Sequence, residues 1–541
     1  MAAVTRVNGP LVEVDGLGGA AMFDLVTVRG LPGEIVAVRG ERATVQMYEY
    51  TGGLTPGLPV EPTGSPLSAV LGPHLLGGVF DGLLRPLTGA PMWLEPRRLA
   101  GTPAGRWRFD PLVARGRATE RGTPVGAVGT AGGLPYLVLS PGGAVGSIRP
   151  AGEYAAGDVV ATIGDAEVRM VTRRPVREPL PCRERLAEPV PLVTGQRVLD
   201  LLFPVRLGGT AAAAGGFGTG KTVLLQQIAK WCDADVVVYV GCGERGNEMA
   251  DVISDLARIT DPRTGGRLAD RTVVIANTSN MPMMAREASV YTGVTVAEHF
   301  RDMGYGAVLI ADSTSRWAEA RREFGSRAGT LPAEEGYPAD LASAIAAFYE
   351  RAGRVTTLGG RTGSVTIIGA VSPPGGDMTE PVTTHTERFV RTLWTLDREL
   401  AYARHYPAVS WDASFSRDAG PLAAWHDRNG GEGWAAARAR VSALLAEAGH
   451  LSGLAELVGA TALHPRERVV LLAGRLLREG LLQQSALSTV DAYCAPDRTL
   501  ALTGAVLGAV DECLALVAAG TPAGDVEGRD FSAVLRAKES G

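Results

Sequence analysis

The residues with the clearest chemical potential form the segment Gly215-Gly216-Phe217-Gly218-Thr219-Gly220-Lys221-Thr222. It matches the phosphate-binding loop pattern G-x-x-x-x-G-K-[ST]. The glycines permit a tight turn in which several backbone N–H groups point at phosphate oxygens, and Lys221 adds a positive charge on the β- and γ-phosphates. Thr222 offers its hydroxyl to Mg²⁺. Because the chain contains 70 glycines, a chance match is also possible, and the surrounding elements must decide.

The surroundings of this loop favour the functional interpretation. A short strand is predicted at Thr210–Ala214, and the helix predicted over Val223–Trp231 places its positive N-terminal end where an anion is favoured. Only three of the 53 basic residues are lysines, at positions 221, 230 and 538. One of the three stands where a compact ammonium group is needed. We therefore predict that residues 215–223 bind ATP or ADP.

Two acidic loops supply further parts of a phosphoryl-transfer site. Asp312 closely follows the apolar strand predicted at 307–310, which is the position of a magnesium-binding carboxylate. Glu244 follows the strand predicted at 236–240, in a glycine-rich loop, where it could polarise an attacking water. Its neighbour Arg245 could fix that acid or reach phosphate. Either acid alone could be an ordinary loop residue, but behind a phosphate-binding loop they predict a catalytic set.

Three further features allow two interpretations each. Arg316 either neutralises phosphate charge or forms a structural pair with Glu244 or Glu319. The turn 372–377 either senses bound nucleotide or is simply rigid. Tyr406 is a candidate platform for adenine, although core packing is the more frequent fate of such a tyrosine.

Composition excludes several classes of protein. The net charge of −5 and the pI of about 5.9 give no basic footprint for nucleic acid. Five scattered cysteines without C-x-x-C spacing predict reduced thiols in the cytosol, and the histidines show no zinc-ligand spacing. The N-terminal residues do not resemble a signal peptide. A spanning helix needs about 20 mostly apolar residues, and since the sequence suggests no such stretch, we predict at most a peripheral membrane role.

The elements that must position these residues fall into four predicted regions. Evenly spaced short strands in residues 1–70 predict an N-terminal β-barrel, although a small sandwich is also compatible. Residues 71–190 predict a connecting segment with a β-rich bulge insertion rather than an irregular linker. Alternating strands and helices in 191–415 predict a P-loop α/β nucleotide-binding domain with a parallel sheet. Helical stripes in 416–541 predict an α-helical bundle, with a polar, frayed tail from Thr521.

Six ungapped segments carry a family resemblance: GGFGTGKT (215–222), GCGERGNEM (241–249), ADSTSRWAEA (311–320), GYPADL (336–341), FYERAGR (348–354) and SPPGGD (372–377). Together they resemble the catalytic A subunit of V-type and archaeal-type (A-type) rotary ATPases. The resemblance extends over nearly the whole chain, and the insertion looks like the non-homologous region of that family.

The resemblance implies a catalytic subunit that couples ATP synthesis or hydrolysis to H⁺ or Na⁺ transport. It implies that 218–222 bind phosphates and Mg²⁺, and that Glu244 activates water. Asp312 corresponds to the magnesium-binding acid, and Arg245 and Arg316 assist at the phosphates.

The resemblance also implies partners and a location. These are a non-catalytic B subunit in an alternating A₃B₃ ring, central and peripheral stalk subunits, and a membrane rotor sector. The complex would lie peripherally on the cytoplasmic face of the membrane, without nucleic acid. Four residues depart from the family, since Gly216 replaces a usual proline, Tyr406 a phenylalanine, Leu487 an aromatic and Ala344 an arginine. The departures concern mainly the adenine side, and the phosphate-side set is intact.

Two other functions are compatible with a phosphate-binding loop. A protein-export or Rho-like hexameric ATPase is less compatible with the bulge insertion and with the segments 241–249 and 372–377. A non-catalytic regulatory nucleotide-binding subunit is less compatible with the complete set Lys221, Glu244 and Asp312.

Overall fold

The computed structural model describes residues 2–91, 95–96, 98–261 and 263–539. The chain forms two compact units. The first consists of residues 1–187, 234–371 and 381–389, and the second consists of residues 188–233, 372–380 and 390–541.

The first unit begins with an antiparallel β-barrel. Its strands are β1 (Ala3–Asn8), β2 (Leu11–Asp15), β3 (Asp24–Val28), β4 (Leu31–Arg39), β5 (Arg42–Met47) and β6 (Val60–Pro66). They pair in the order β1-β2-β5-β4-β3-β6, and a bridge between Ala3 and Pro59 joins the two edges. Buried valines such as Val12 and Val45 fill the interior. The predicted barrel is confirmed, although two of its strands, β3 and β6, were not predicted. The sequence of β6 is polar and contains proline, and the strand is largely exposed.

The first unit continues as a series of short strands. They are β7 (Ser68–Leu71), β8 (Val79–Phe80), β9 (Arg106–Pro111), β10 (Ala118–Thr119), β11 (Pro124–Val128), β12 (Tyr136–Leu139), β13 (Gly143–Ile148), β14 (Gly152–Ala155), β15 (Val159–Ile163), β16 (Ala166–Arg169), β17 (Thr172–Pro175) and β18 (Glu184–Arg185). Eight of them form two four-stranded sheets, β10-β13-β15-β16 and β12-β11-β9-β14. These two sheets are the β-rich insertion that the sequence predicts.

The next segment belongs to the second unit and contains the phosphate-binding loop. Its elements are β19 (Pro191–Leu192), α1 (Arg197–Leu202), β20 (Val205–Arg206), β21 (Thr210–Ala214) and α2 (Lys221–Trp231). Strand β21 is confirmed as predicted. Helix α2 begins at Lys221, two residues before the predicted start, because Gly220 takes the left-handed conformation that opens the helix.

The chain then returns to the first unit and forms its parallel sheet. The elements are β22 (Val236–Cys242), α3 (Gly246–Arg258), β23 (Thr272–Asn277), α4 (Met283–Asp302), β24 (Gly306–Asp312), α5 (Thr314–Ala328), α6 (Leu341–Tyr349), β25 (Gly353–Thr356), β26 (Thr362–Val371) and α7 (Pro381–Phe389). The parallel order is β26-β24-β22-β23-β8. These strands are buried apolar runs, as predicted. Since they run in one direction, their carboxyl ends meet at one edge.

The rest of the second unit is mainly helical. Its elements are β27 (Thr392–Thr395), α8 (Arg398–Tyr402), β28 (Phe415–Ser416), α9 (Ala419–Arg428), α10 (Trp434–Val458), α11 (Pro465–Leu477), α12 (Pro496–Ala518), α13 (Ala523–Glu527) and α14 (Ser532–Arg536). Strand β27 pairs in parallel with β21 and antiparallel with β28. The predicted apolar stripes, including Val441 on α10 and Leu476 on α11, are buried. The predicted helical bundle is therefore confirmed.

Two sequence predictions for this bundle were wrong. One was that the tail from Thr521 is frayed, and the other was that no stretch is long and apolar enough to span a membrane. The tail from Thr521 is not frayed, because α13 and α14 form there and bury Val526 and Phe531. In addition, α10 and α12 are long and apolar enough to cross a membrane by length and composition, with mean hydropathies of 1.2 and 1.8. Both helices pack on α11 within the bundle, and length and composition alone are weak support for a membrane span.

Candidate functional site

The phosphate-binding loop joins β21 to α2 in the second unit. Gly218 and Gly220 have φ angles of 79° and 87°, a region that glycine adopts without steric strain. The Lys221 Nζ donates to the carbonyl oxygens of Gly215 at 2.5 Å and Gly216 at 2.9 Å. The lysine ammonium is therefore held against the loop, at the N-terminal end of a helix, where positive potential favours an anion.

The other side chains of the loop differ in their exposure. Thr219 is buried, and its hydroxyl donates to the Gly216 carbonyl at 2.9 Å. Thr222 is half-buried in the first turn of α2. Phe217 and Val223 point outward, with exposures of 84% and 51%. The predicted nucleotide-binding loop thus combines a closed backbone turn with an apolar outer surface.

Tyr406 lies against this loop within the same unit. A Cβ atom placed on Gly220 would lie 3.5 Å from the Tyr406 Cε1. The Tyr406 hydroxyl donates to the Ala401 carbonyl at 3.3 Å, while the side chain remains 44% exposed. An accessible aromatic ring beside a phosphate-binding loop is suited to stack on a nucleotide base.

The turn at 372–377 also lies beside the loop. The Asp377 Oδ1 accepts hydrogen bonds from the Thr379 backbone N–H at 2.9 Å and from the Thr379 hydroxyl at 2.7 Å. The Cα of Gly376 is 3.8 Å from the position of a Cβ on Gly216. The structure therefore describes a rigid turn that is also adjacent to the loop, and its proposed nucleotide sensing stays a prediction.

Glu244 and Asp312 lie at the shared edge of the parallel sheet in the first unit. Asp312 is the last residue of β24, and the register places it opposite Gly241 near the end of β22. Asp312 is 3% exposed, and its Oδ2 accepts a hydrogen bond from the Tyr239 hydroxyl at 3.0 Å. Glu244 is half-buried three residues beyond Gly241. The two acids predicted from the sequence are thus placed at the carboxyl ends of adjacent strands.

Gly243 allows the Glu244 loop to run close to two arginines. Its φ is 74°, and a Cβ at this position would lie 2.7 Å from the Arg316 Cβ and 3.1 Å from the Arg286 Cδ. A side chain at 243 would therefore be strained and would clash. The glycine is required for this close approach.

The environment of Glu244 shifts the titration of its carboxyl group toward neutral pH. Burial is the largest effect and raises the pKa of Glu244 to about 7. The negative charge of Asp312 and a hydrogen bond with Glu248 raise this pKa further, and Arg316 opposes them. A carboxyl group with a pKa near the working pH is suited to accept or release a proton.

This pKa predicts the acid limb of the pH–rate profile. Since the carboxylate is the form that polarises water, kcat/KM for ATP hydrolysis should fall as the pH drops below about 7. Glu248→Gln removes a neighbouring acid and should shift this limb to lower pH. The measurement is kcat/KM against pH for both proteins, and identical profiles would contradict the role of Glu248 in setting this pKa.

The two arginines predicted to assist at phosphate each have an acidic partner. The Arg316 Nη1 donates to the Glu319 Oε2 at 2.8 Å. Of the two acids that the sequence offered as partners of Arg316, Glu244 and Glu319, the structure shows the pair with Glu319. Arg245 is 3.7 Å from Glu248 and largely exposed. Within the described residues, the pair of Arg316 is with Glu319, and Arg316 affects Glu244 through its charge.

Arg286, in the first turn of α4, is a candidate site residue that was not predicted from the sequence. Its Cδ lies beside Gly243, and its Nη2 donates to the Ser279 carbonyl at 3.0 Å. Its Nε is buried and has no hydrogen-bond partner in the described part of the structure. A buried N–H group in this situation is suited to a ligand oxygen. The signal was its position after β23, the strand adjacent to β22.

The donor chemistry of these loops fits Mg²⁺. Among the described residues, no group of three or more His, Cys, Asp or Glu side chains could hold a metal ion. Mg²⁺ usually takes only one or two carboxylates and completes its coordination with waters and substrate phosphates. In the first unit, Asp312, fixed by Tyr239, is a hard oxygen donor of the required kind. In the second unit, the Thr222 hydroxyl is a donor of the same kind.

Family models match three successive parts of the chain. Residues 4–64 match the beta-barrel domain of the ATP synthase alpha/beta family, and residues 195–416 match the nucleotide-binding domain of the same family. Residues 423–520 match the C-terminal domain of V and A type ATP synthase.

Curated relatives match the chain over almost its full length. A V-type ATP synthase alpha chain from Anaeromyxobacter sp. (strain K) is 50% identical and covers 96% of this chain and 91% of its own length. The V-type ATP synthase alpha chain of Nitrosococcus oceani is 48% identical, with coverages of 98% and 92%. The corresponding chain of the A-type ATP synthase from Thermococcus onnurineus is 46% identical, with coverages of 97% and 93%.

A solved structure shares the fold at much lower identity. It is the assembled ATPase EscN from the type III secretion system of enteropathogenic E. coli, which is 20% identical with a TM-score of 0.69. The match covers 94% of this chain and 100% of EscN. At this identity the likeness describes the fold alone.

Proposed function

This chain belongs to the catalytic A subunits of the V- and A-type ATP synthases, and we propose a role for each of its site residues. The protein couples ATP synthesis or hydrolysis to ion transport, within a membrane-associated complex in which the catalytic part is peripheral.

The phosphate-binding loop holds the polyphosphate of ATP or ADP. Backbone N–H groups of 215–223 and the helix N-terminus of α2 bind the phosphate oxygens, and Lys221 adds its charge at the β- and γ-phosphates. Tyr406 contacts the base, because its ring is accessible and lies beside Gly220. Thr222 and Asp312 would hold Mg²⁺, which would neutralise negative charge on the phosphates.

Glu244 polarises the attacking water and takes its proton during hydrolysis. The observation that carries this role is the position of a half-buried carboxyl group just beyond the end of β22, the strand that pairs with β24 and its terminal Asp312. Burial raises the pKa of this group to about 7. Arg245, Arg286 and Arg316 provide positive charge near the same loop. The unpaired Nε of Arg286 supports a contact with phosphate oxygen in the ligand-bound enzyme.

Replacement of Lys221 tests the phosphate-binding role. Lys221→Ala should weaken nucleotide binding and slow turnover together, because the ammonium contacts the ground state and the transition state alike. Loss of one charge-assisted contact to phosphate is expected to reduce affinity by about tenfold or more. Nucleotide affinity is measured by calorimetry, with Lys230→Ala, on the last turn of the same helix, as control. Unchanged affinity in Lys221→Ala would contradict the assignment.

The neighbouring subunits complete the proposed assembly. We propose that this chain and a non-catalytic B subunit occupy alternate positions in an A₃B₃ ring, on the cytoplasmic face of the membrane, with central and peripheral stalks linking it to the rotor. The family membership supports a multi-subunit complex. A ring of this kind uses heterologous interfaces that close on themselves. Co-purification of the chain with its partners, followed by mass measurement of the complex, tests this composition.

A further inference from the structure

The segment 478–484 connects the helical bundle to Tyr406. A π-helical turn, Arg478–Leu482, continues α11 and ends at Gln483. The backbone N–H of Gln484 then donates to the Tyr406 carbonyl at 2.8 Å. The Gln483 Nε2 donates to the Arg404 carbonyl at 3.4 Å. The backbone on both sides of Tyr406 is therefore held by this segment, which we refer to as the 478–484 segment.

Two cations in turn hold the carbonyl oxygens of the 478–484 segment. The Lys538 Nζ donates to the Glu479 carbonyl at 2.5 Å and to the Gln483 carbonyl at 3.2 Å. Arg197 donates to the Leu481 carbonyl at 2.6 Å and shares the Gln483 carbonyl at 2.8 Å. The last carbonyls of a helix have no partner within the helix, and cations placed there stabilise them.

The two cations differ in their surroundings. Arg197 is 1% exposed and pairs with buried Asp491 at 2.6 Å, so its removal would leave a buried charge unpaired. Lys538 is half-buried, and burial lowers its pKa from the ordinary range. It is therefore the contact that can be removed with less damage to the core.

Lys538 is itself fixed by the end of the bundle. Its backbone carbonyl accepts a hydrogen bond from Arg498 of α12 at 3.0 Å. Leu535 of α14 lies 3.5 Å from the Cβ position of Gly480 in the 478–484 segment. The tail that was expected to fray thus forms a defined contact with the segment that supports Tyr406.

We propose that Lys538 is a positioning residue for recognition of the nucleotide base. By holding the 478–484 segment, it keeps the Tyr406 ring at the phosphate-binding loop and so raises affinity for the base-containing part of ATP and ADP. It takes no part in the chemistry at the γ-phosphate. This inference rests on the proposed role of Tyr406 as the base platform.

The test compares base-dependent and phosphate-dependent binding in the purified ATPase complex. Lys538→Met should raise KM for ATP by about tenfold, equivalent to about 1.4 kcal/mol, and leave kcat at saturating ATP within about twofold. The Kd for ADP should rise in parallel, while the Kd for pyrophosphate stays unchanged, because pyrophosphate has no base. A general loss of structure would instead weaken pyrophosphate binding and lower kcat.

Two matched variants control for charge and for stability. Lys538→Arg retains the cation and should recover most of the affinity for ADP. This variant remains informative if Lys538→Met folds poorly. Arg529→Met removes an exposed pair with Glu512 in the same terminal region. Exposed pairs contribute little, so KM should stay unchanged.

Tyr406→Ala separates failure of this inference from failure of the proposed function. It should raise KM for ATP on its own, and the double variant with Lys538→Met should show no further rise, because Lys538 acts through Tyr406. If Tyr406→Ala raises KM and Lys538→Met does not, the inference is wrong and the base platform stands. If the two effects multiply, Lys538 does not act through Tyr406. If Tyr406→Ala leaves KM unchanged, the base platform itself is wrong.

Discussion

Glu244→Gln is expected to reduce ATP turnover of the assembled complex by about 10²–10⁴-fold or more, the range attributed to a positioned general base. Glutamine keeps the size and hydrogen-bonding shape of the side chain but cannot accept the proton of the attacking water. Nucleotide binding should be largely retained, because the phosphate contacts come from the loop around Lys221. Steady-state ATPase assays and calorimetric binding of ADP measure the two quantities separately.

A surface glutamate provides the control for this substitution. Glu323 pairs with Arg327 on the exposed face of α5, so Glu323→Gln should keep the wild-type rate. Loss of nucleotide binding in Glu244→Gln would indicate a structural role for the carboxylate. Wild-type turnover in that variant would contradict its assignment as the group that polarises water.

The second large effect concerns the chain by itself. We expect the purified chain to bind Mg-ATP but to hydrolyse it about 10³–10⁵-fold more slowly than the assembled ring. This factor is the contribution of an arginine supplied in trans. Arg316 pairs with Glu319 on its own helix, and Arg245, the residue before α3, pairs with Glu248 in the first turn of that helix. Arginines paired in this way are suited to support the site from within the chain. We therefore propose that the arginine supplied in trans comes from the neighbouring B subunit.

The measurement is steady-state ATPase activity of the isolated chain and of the reconstituted ring, with the mass of each species determined in the same buffer. Full-rate turnover by a monomer or homo-oligomer would contradict the trans-arginine argument. It would instead favour the mode of action of a homohexameric ATPase.

The sequence predicted those parts of the fold that depend on local patterns. The strands at 236–240 and 307–310 were recognisable because parallel strands buried on both faces are continuous apolar runs. The phosphate-binding loop was recognisable because its glycines and lysine have fixed spacing. Glu244 and Asp312 followed from the rule that ligands gather at the carboxyl ends of such strands.

The remaining features depend on contacts between residues distant in sequence. Arg286 became a candidate only when its Cδ was found beside Gly243, since its position after β23 alone does not distinguish it from other arginines in helices. The contact of Lys538 with Glu479 joins residues 59 positions apart. The polar composition of the tail predicted fraying. Composition alone does not reveal that Val526 and Phe531 become buried.

We propose that this chain contains the catalytic site that drives ion transport. The most direct test places complexes with the wild-type chain or with Glu244→Gln in sealed vesicles and records ATP-driven H⁺ and Na⁺ movement. We expect ion movement with the wild-type chain and none above background with Glu244→Gln, although both complexes assemble with the same subunits. Equal ion movement in the two preparations would contradict it.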